Sequence, residues 1–168
     1  NPYTGNNSLR LTNVPNESEG DLVFETPESA TQLAVLTASG NSTSMVGTFS
    51  GEIEFTDNST QIFTGVKSPD WYSNSLQAST VTYGMGRASR KNNDLEKTID
   101  APRLFSSQIS ISPNNYYKKI KSIHIYKLND ATQVLHILAI SAQKTQDCVQ
   151  PTNVNVSNVG ANNATISW

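Results

Sequence analysis

Residues 51–66, GEIEFTDNSTQIFTGV, have the pattern of a β-hairpin. Apolar and polar residues alternate before a short polar segment, Asp57-Asn58-Ser59, and period-two alternation is typical of a strand with one buried face. Asp, Asn and Ser favour turns because their side chains can hydrogen-bond to the local backbone. We therefore expect this segment to turn the chain. The side chains expected to pack inside are Ile53 and Phe55 from the first strand, and Ile62 with Phe63 from the second.

Strand-like segments recur on both sides of this hairpin, and no long segment has helical periodicity. Pro27 is expected to end the second strand, residues 31–39 to be buried on both faces, and the nearly all-apolar residues 133–142 to be central. About eight strands predict an all-β protein, an antiparallel β-sandwich or jelly roll. The segments outside the hairpin are 8–13, 20–26, 31–39, 79–87, 106–112, 120–128 and 133–142.

The composition favours a β-rich extracellular module. Asn, Ser and Thr make up about a third of the 168 residues, and charged residues make up 15%. The chain as a whole is too apolar and too varied in sequence to be disordered, and Thr favours strands. No apolar run approaches the roughly 18 residues that a membrane span needs, so membrane insertion is not expected. The chain begins without Met or a signal-like segment, and we interpret it as a mature or excised piece of a secreted or cell-surface protein.

The composition changes near residue 143. Residues 144–151 are polar, end in Pro151 and are predicted to be a linker. In residues 152–168, alternating valines at 154 and 156 predict one strand, and Ala164, Ile166 and Trp168 a second, after a turn at 160–163. Because two strands alone bury too little surface to form a domain, we expect the truncated start of a second β-domain.

Two resemblances follow from these segments. Pro151, the Val154–Val156 strand and the Trp168 strand resemble the beginning of a fibronectin type III domain. Residues 1–143 resemble a galactose-binding-like jelly roll of the discoidin and carbohydrate-binding-module type. The segments that carry this second resemblance are FSGEIEFTDNSTQIFTGVKSPDW (49–71), GMGR (84–87), PRLF (102–105) and the strand pair IKSIHIYKL (120–128) and VLHILAIS (134–141).

The resemblances imply a non-catalytic accessory module of a secreted, multimodular bacterial protein. Such modules bind glycan or pack against a neighbouring catalytic domain of the same polypeptide, and the parent would be a glycoside hydrolase, a lyase, a peptidase or an adhesin. They often hold a structural calcium ion. Here the candidate oxygen ligands are Glu17, Glu19, Asp21 and Asp57, with ordinary acidic turns as the alternative, and no other cofactor is expected.

The residue inventory offers little for catalysis. The two histidines, His124 and His136, lie within predicted strands, and we interpret His136 as an interior residue. Cys148 lies in the linker, where it is either idle or paired outside the chain, and no rigid base can be held beside it. We therefore predict no enzyme activity for this chain. Nucleic-acid binding is not expected either, because the isoelectric point is about 5.6 and basic residues are few.

Sugar binding requires exposed aromatic faces with polar neighbours, and three clusters offer them. They are Trp71 with Tyr72, Tyr116 and Tyr117 with Lys118, and the basic residues Arg87 and Arg90. Residues 1–84 contain nine acidic and two basic residues (−7), whereas residues 85–168 contain five and ten (+5). This asymmetry is either ordinary solvated surface or a patch for an acidic polysaccharide.

The pair Trp71–Tyr72 has two interpretations. Both rings together would make a platform for a ligand, or Trp71 would close the end of the sandwich and leave Tyr72 as the contact. The position after the 61–71 strand favours the second. The predicted function is carbohydrate binding through end loops, and the alternatives are a spacer or docking module on a catalytic domain and an adhesin module that contacts a protein.

Overall fold

The computed structural model describes residues 8–41, 46–72, 77–89, 91–96, 100–127, 132–144 and 155–167. In these residues the chain is nearly all β, its sheets are antiparallel, and the one helical element is a 3-10 turn at Pro113–Asn115. The predicted all-β, antiparallel fold class is confirmed. Within the same residues there is no helix with the length and hydropathy needed to cross a membrane.

The strands form two main sheets. The order is β1-β11-β3-β9-β6 in one and β2-β10-β4-β5 in the other, and two small hairpins, β7-β8 and β12-β13, pair separately. The strand bounds are β1 Leu9–Leu11, β2 Glu19–Ser29, β3 Gln32–Gly40, β4 Val46–Phe55, β5 Thr60–Pro69, β6 Thr80–Tyr83, β7 Arg87–Ala88, β8 Leu95–Glu96, β9 Arg103–Ser110, β10 Lys119–Lys127, β11 Val134–Gln143, β12 Asn155–Ser157 and β13 Thr165–Ser167.

The core lies between the two main sheets, as in a β-sandwich. One sheet contributes Leu33 and Val35 from β3, and the other contributes Ile123 and Ile125 from β10, all at most 1% exposed. Alternating inward residues of this kind give each sheet one apolar face. Burying each such side chain stabilises the fold by about 1.5–3 kcal/mol.

The hairpin 51–66 folds as predicted except for the side chain that packs inward from β5. Phe63 is buried, whereas Ile62 is 67% exposed, so the inward position predicted for Ile62 is wrong. Register explains the difference: Phe63 pairs with Gly51, and a Cβ on Gly51 would lie 2.6 Å from the Phe63 ring. Phe63 also makes an edge contact with Phe49, with ring centroids 6.2 Å apart.

Strand β2 continues through Pro27 instead of ending there. It is an edge strand, where a missing N–H is tolerated. Its pairing with β10 is also irregular at this place: Ile120 pairs with Glu28, and the next pair is Ser122 with Val23. Pro27 therefore lies in a stretch where the register shifts and no regular ladder hydrogen bond is required of it.

Strands β3 and β11 differ in how far the predictions hold. In β3, Leu33 and Val35 are buried but Ala34 and Leu36, which alternate with them, are half-buried, so burial on both faces is not observed. Strand β11 lies between β1 and β3, as predicted for a central strand. β1 pairs with only residues 135–137 of it, and Ala139 and Ser141 further along are exposed.

The C-terminal segment forms the expected hairpin. Val156 of β12 pairs with Ile166 of β13, and the Gly160 N–H donates to the Asn163 carbonyl oxygen in the turn at 2.7 Å. Val154, Trp168 and Cys148, on which the sequence-based predictions also rest, lie outside the described residues.

Candidate functional site

The main chain of Trp71 bridges two strands at one end of the sandwich. β5 ends at Pro69, and the chain then passes between the end of β3 and the beginning of β9. The Trp71 N–H donates to the Ser39 carbonyl oxygen, and the Arg103 N–H donates to the Trp71 carbonyl oxygen, both at 2.8 Å. The two bonds place Trp71 where β3 and β9 no longer pair directly. This structural role belongs to the backbone and leaves the side chain available.

The indole of Trp71 is half-buried and lies between two surface grooves. Its pyrrole edge faces Gly40, because a Cβ built there would lie 3.5 Å from Cδ1 and Nε1. One groove, of about 600 Å³, is lined by Trp71 with Arg87, Ala88, Ser89, Lys91 and Glu96. The other, of about 420 Å³, is lined by Trp71 with Arg10, Gly40, Asn41, Val134 and His136 among others.

Tyr72 is covered on one face by Arg87. The guanidinium carbon of Arg87 lies 4.0 Å from the centre of the Tyr72 ring and 5.8 Å from that of Trp71, both within cation–π range. The two aromatic rings are 5.9 Å apart and tilted by 56°, so they do not form one flat platform. Trp71 thus lines both grooves and Tyr72 packs against Arg87, and the role of Tyr72 as a ligand contact stays a prediction.

The position of Arg87 is fixed by a glycine bend and an ion pair. Gly84 and Gly86 adopt φ values of 67° and 76°, which L-residues with a Cβ rarely adopt, and they turn the chain from β6 into β7. Arg87 Nε then donates to Glu96 Oε2 at 2.7 Å across the β7-β8 hairpin. The hydrogen bond to this carboxylate raises the pKa of Arg87 above its ordinary value.

The bend GMGR is visible in the sequence, but Glu96, Arg10 and His136 are site residues that sequence reasoning missed. The sequence of residues 88–102 indicated only a charged surface segment. The pairing of Arg87 with Glu96 depends on the register of a hairpin whose strands have two residues each, which the sequence does not reveal. Arg10 and His136 come together because β1 pairs with β11. Arg90, a predicted site residue, lies outside the described residues.

The remaining predicted contact residues lie at the opposite end of the sandwich. β9 begins beside Trp71 and ends before the turn that carries Tyr116 and Tyr117, and its eight residues span roughly 23 Å. Tyr116 is half-buried against the core, whereas Tyr117 is 82% exposed. Lys118 Nζ donates to Ser59 Oγ at 2.7 Å and lies 3.2 Å from Asp57 Oδ2. The structure therefore divides the candidate residues between two separate sites.

The four carboxylates proposed as calcium ligands are not brought together. Asp57 lies beside Lys118, and hydrogen bonds, first from the Ser59 hydroxyl and then from the Ser59 N–H, lower its pKa to about 2. Glu17 accepts a hydrogen bond from Thr12 at 2.9 Å near the opposite end of the sandwich. Within the described ranges, no group of three or more His, Cys, Asp or Glu side chains is arranged to hold a metal ion.

Both histidines lie on outer faces of the sheets. His124 on β10 stands between two carboxylates of β2, with Nδ1 2.8 Å from Asp21 Oδ1 and Nε2 3.6 Å from Glu19 Oε2. His136 is half-buried on the outer face of β11, so the interior position predicted for it is wrong. Partial burial, and then the positive charge of Arg10, lower the pKa of His136.

Comparison with known proteins adds no relative. No protein-family model matches the chain, and neither a curated protein nor a solved structure matches it significantly. The resemblance to galactose-binding-like and fibronectin type III domains stays a prediction from the quoted motifs.

Proposed function

We propose that residues 1–143 form a non-catalytic module of a secreted or cell-surface multimodular protein, and that the module binds carbohydrate through the grooves on both sides of Trp71. The observation that carries the proposal is that one half-exposed indole forms a wall of both grooves. An aromatic face packs against the C–H groups of a pyranose ring, and the polar side chains around it bond the hydroxyls.

The charges in the grooves favour an acidic polysaccharide. Within the part of the chain that the structure describes, Arg87 uses only Nε to bond a side chain, that of Glu96, which leaves the N–H groups of its terminal nitrogens for a ligand. Lys91 is exposed beside it. In the second groove Arg10 lies 3.6 Å from Glu17, a long and exposed ion pair that contributes little and can be exchanged for another anion. Cations on both sides of the indole suit a chain of sugars that carries carboxylate or sulfate groups.

Affinity gel electrophoresis with neutral and acidic polysaccharides tests the proposal. We expect at least one acidic polysaccharide to retard the wild-type chain and Trp71→Ala to abolish the retardation. Ala keeps both main-chain hydrogen bonds of residue 71, so the fold is expected to persist. Tyr117→Ala is the matched control, because Tyr117 is an exposed aromatic at the other end of the sandwich. Absence of retardation on every polysaccharide, or equal retardation of wild type and Trp71→Ala, would contradict carbohydrate binding.

A docking function is the second candidate, and a strip of exposed apolar side chains favours it. Val81 and Tyr83 on the edge strand β6 are 59% and 56% exposed, and Leu95 on the neighbouring hairpin is 69% exposed. Exposed apolar patches of this kind often mark protein interfaces. The strip would pack against a neighbouring domain of the same polypeptide or against another protein, as in a spacer or an adhesin module.

The double variant Tyr83→Ser/Leu95→Ser distinguishes the two functions. If the module binds carbohydrate, the double variant is retarded in the affinity gel as strongly as the wild type. If the strip is a docking surface, cross-linking between this module and its neighbour in the intact parent protein decreases in the double variant and is unchanged in Trp71→Ala.

A further inference from the structure

Five polar side chains are buried inside the sandwich at the end that carries Trp71. Thr37 and Ser39 belong to the last part of β3, Ser68 to the end of β5, Arg103 begins β9, and Gln133 directly precedes β11. Ser39 is 1% exposed and the other four are completely buried. An arginine without any solvent exposure is unusual unless its charge is compensated.

The five side chains lie in the interior at the same end of the sandwich, and Ser39, Ser68 and Gln133 come together around Gly47. Ser39 Oγ donates to the Ser68 carbonyl oxygen at 2.6 Å, which links the two sheets. A Cβ built on Gly47 would overlap the Gln133 amide and lie 3.1 Å from Ser39 Oγ, so the amide and the hydroxyl contact the same glycine. Arg103 is joined to Ser39 through the backbone of Trp71, and its side chain is on the interior face of β9.

The cluster has an excess of hydrogen-bond donors. Among the residues that the structure describes, seven of its buried atoms have no hydrogen-bond partner, and six of these can donate. Only Gln133 Oε1 is restricted to accepting. The seven atoms are Thr37 Oγ1, Ser68 Oγ, Arg103 Nε, Nη1 and Nη2, and Gln133 Nε2 and Oε1.

The positive charge of Arg103 has only one weak partner in the same residues. Asp100 Oδ2 lies 4.0 Å from Arg103 Nη2, too far for a hydrogen bond, and the Asp100 side chain is 38% exposed. A buried ion without a close counter-ion is strongly unfavourable. The cluster therefore needs a group that both accepts hydrogen bonds and carries negative charge.

We propose that Arg103, with Gln133 Nε2 and the hydroxyls of Thr37 and Ser68, binds a small inorganic anion, with chloride as the physiological ion. Among side chains that are completely buried, a monatomic ion needs the least space. The anion accepts from the guanidinium, the amide and the hydroxyls together, and so joins β3, β5, β9 and the beginning of β11. This site is separate from the grooves and does not depend on the function proposed for them.

Thermal and urea unfolding in sodium chloride, compared with sodium gluconate at the same ionic strength, tests the site. Gluconate is too large to enter. Above the dissociation constant, each tenfold increase in chloride is expected to increase the folding equilibrium constant about tenfold, because the anion binds only the folded state. Sodium bromide should act in the same way, and anomalous diffraction from bromide-soaked crystals should place the ion beside Arg103.

Variants assign the effect to these side chains. Arg103→Met is expected to remove the difference in stability between chloride and gluconate. If Arg103→Met does not fold, Thr37→Val and Ser68→Ala serve instead. Both keep the charge of Arg103 and are expected to weaken the chloride effect several-fold. Ser107→Ala is the matched control, since the Ser107 hydroxyl is also buried but donates to the Lys67 carbonyl oxygen at 2.6 Å. It should leave the chloride dependence unchanged.

Two outcomes would overturn the proposal. Identical unfolding in chloride and gluconate would mean that ordered water satisfies the donors. Loss of stability in Asp100→Asn equal to that in Arg103→Met, without any chloride dependence in the wild type, would make Asp100 the counter-ion.

Discussion

The carbonyl oxygen of Trp71 accepts a hydrogen bond from the main-chain N–H of Arg103 at 2.8 Å. This bond joins the residue whose indole lines two surface grooves to a residue whose side chain is completely buried. The proposed carbohydrate site and the proposed anion site therefore share one piece of backbone, although different side chains form them.

The backbone role of Trp71 predicts that the kind of substitution at this position matters. Trp71→Ala keeps the N–H that donates to Ser39, and we expect it to lower the free energy of unfolding by less than the 3 kcal/mol or so typical of a fully buried aromatic. Trp71→Pro removes the donor and should cost at least about 1 kcal/mol more. Urea unfolding measures both. Equal losses in the two variants would show that the N–H bond to Ser39 contributes little.

The packing of β5 predicts a large difference between two adjacent residues. Phe63→Ala is expected to lower the free energy of unfolding by about 3–5 kcal/mol, because it leaves a cavity against Phe49 and Gly51. Ile62→Ala, on the outer face, should change it by no more than about 0.5 kcal/mol. Chemical denaturation of the two variants checks the prediction, and a reversed order would mean that β5 pairs in the other register.

The pKa of Asp57 predicts a stability change at acid pH. The ordinary value is 3.8, and hydrogen bonds from Ser59 lower it to about 2 in the folded protein. A group with a lowered folded pKa contributes stability that is fully present above its unfolded pKa. We expect this contribution to be lost as the pH falls from about 4 to about 2.

An NMR titration of the Asp57 carboxyl group measures this pKa directly. Ser59→Ala should move the midpoint back toward the ordinary value, whereas Ser110→Ala, a substitution of an exposed serine elsewhere, should not. A midpoint near 3.8 in the wild type would contradict the hydrogen bonding seen at this turn.

His136 predicts a second pH effect, in a higher range. Partial burial and the charge of Arg10 lower its pKa below the ordinary 6.5, so the folded state favours the neutral ring. The resulting contribution to stability is present above about pH 6.5 and decreases as the pH falls below it. His136→Gln should remove this dependence, and Arg10→Gln should raise the His136 pKa. An NMR titration with a His136 midpoint above 6.5 would contradict the expected sign.

The extent to which the sequence predicts this structure follows from the range of the interactions involved. Strands and the turn at Asp57–Ser59 are predictable because alternation and turn propensity are local. Which of Ile62 and Phe63 points inward was not predictable, because both are apolar and a register shift near Gly51 decides between them. The prediction that Pro27 ends a strand was wrong for a related reason. β2 is an edge strand with irregular pairing at Pro27, and a local sequence pattern reveals neither property.

The site was predictable only in part. An aromatic pair beside a glycine bend identified Trp71, Tyr72 and Arg87, which do lie together. Their division of roles depends on the direction of each ring, and Glu96, Arg10 and His136 enter through strand pairing between distant segments. The burial of Arg103 was not predictable, because nothing in the sequence PRLF (102–105) distinguishes a buried arginine from an exposed one.

The place of Trp71 between the two grooves also gives the protein an optical reporter. The chain has only two tryptophans, so replacing Trp168 with Phe would leave a single indole whose emission arises from the wall of both grooves. A sugar that covers this indole would exclude water from it and shift the emission to shorter wavelength. Occupancy of the grooves could then be followed in solution with no label, in titrations and in stopped-flow experiments alike.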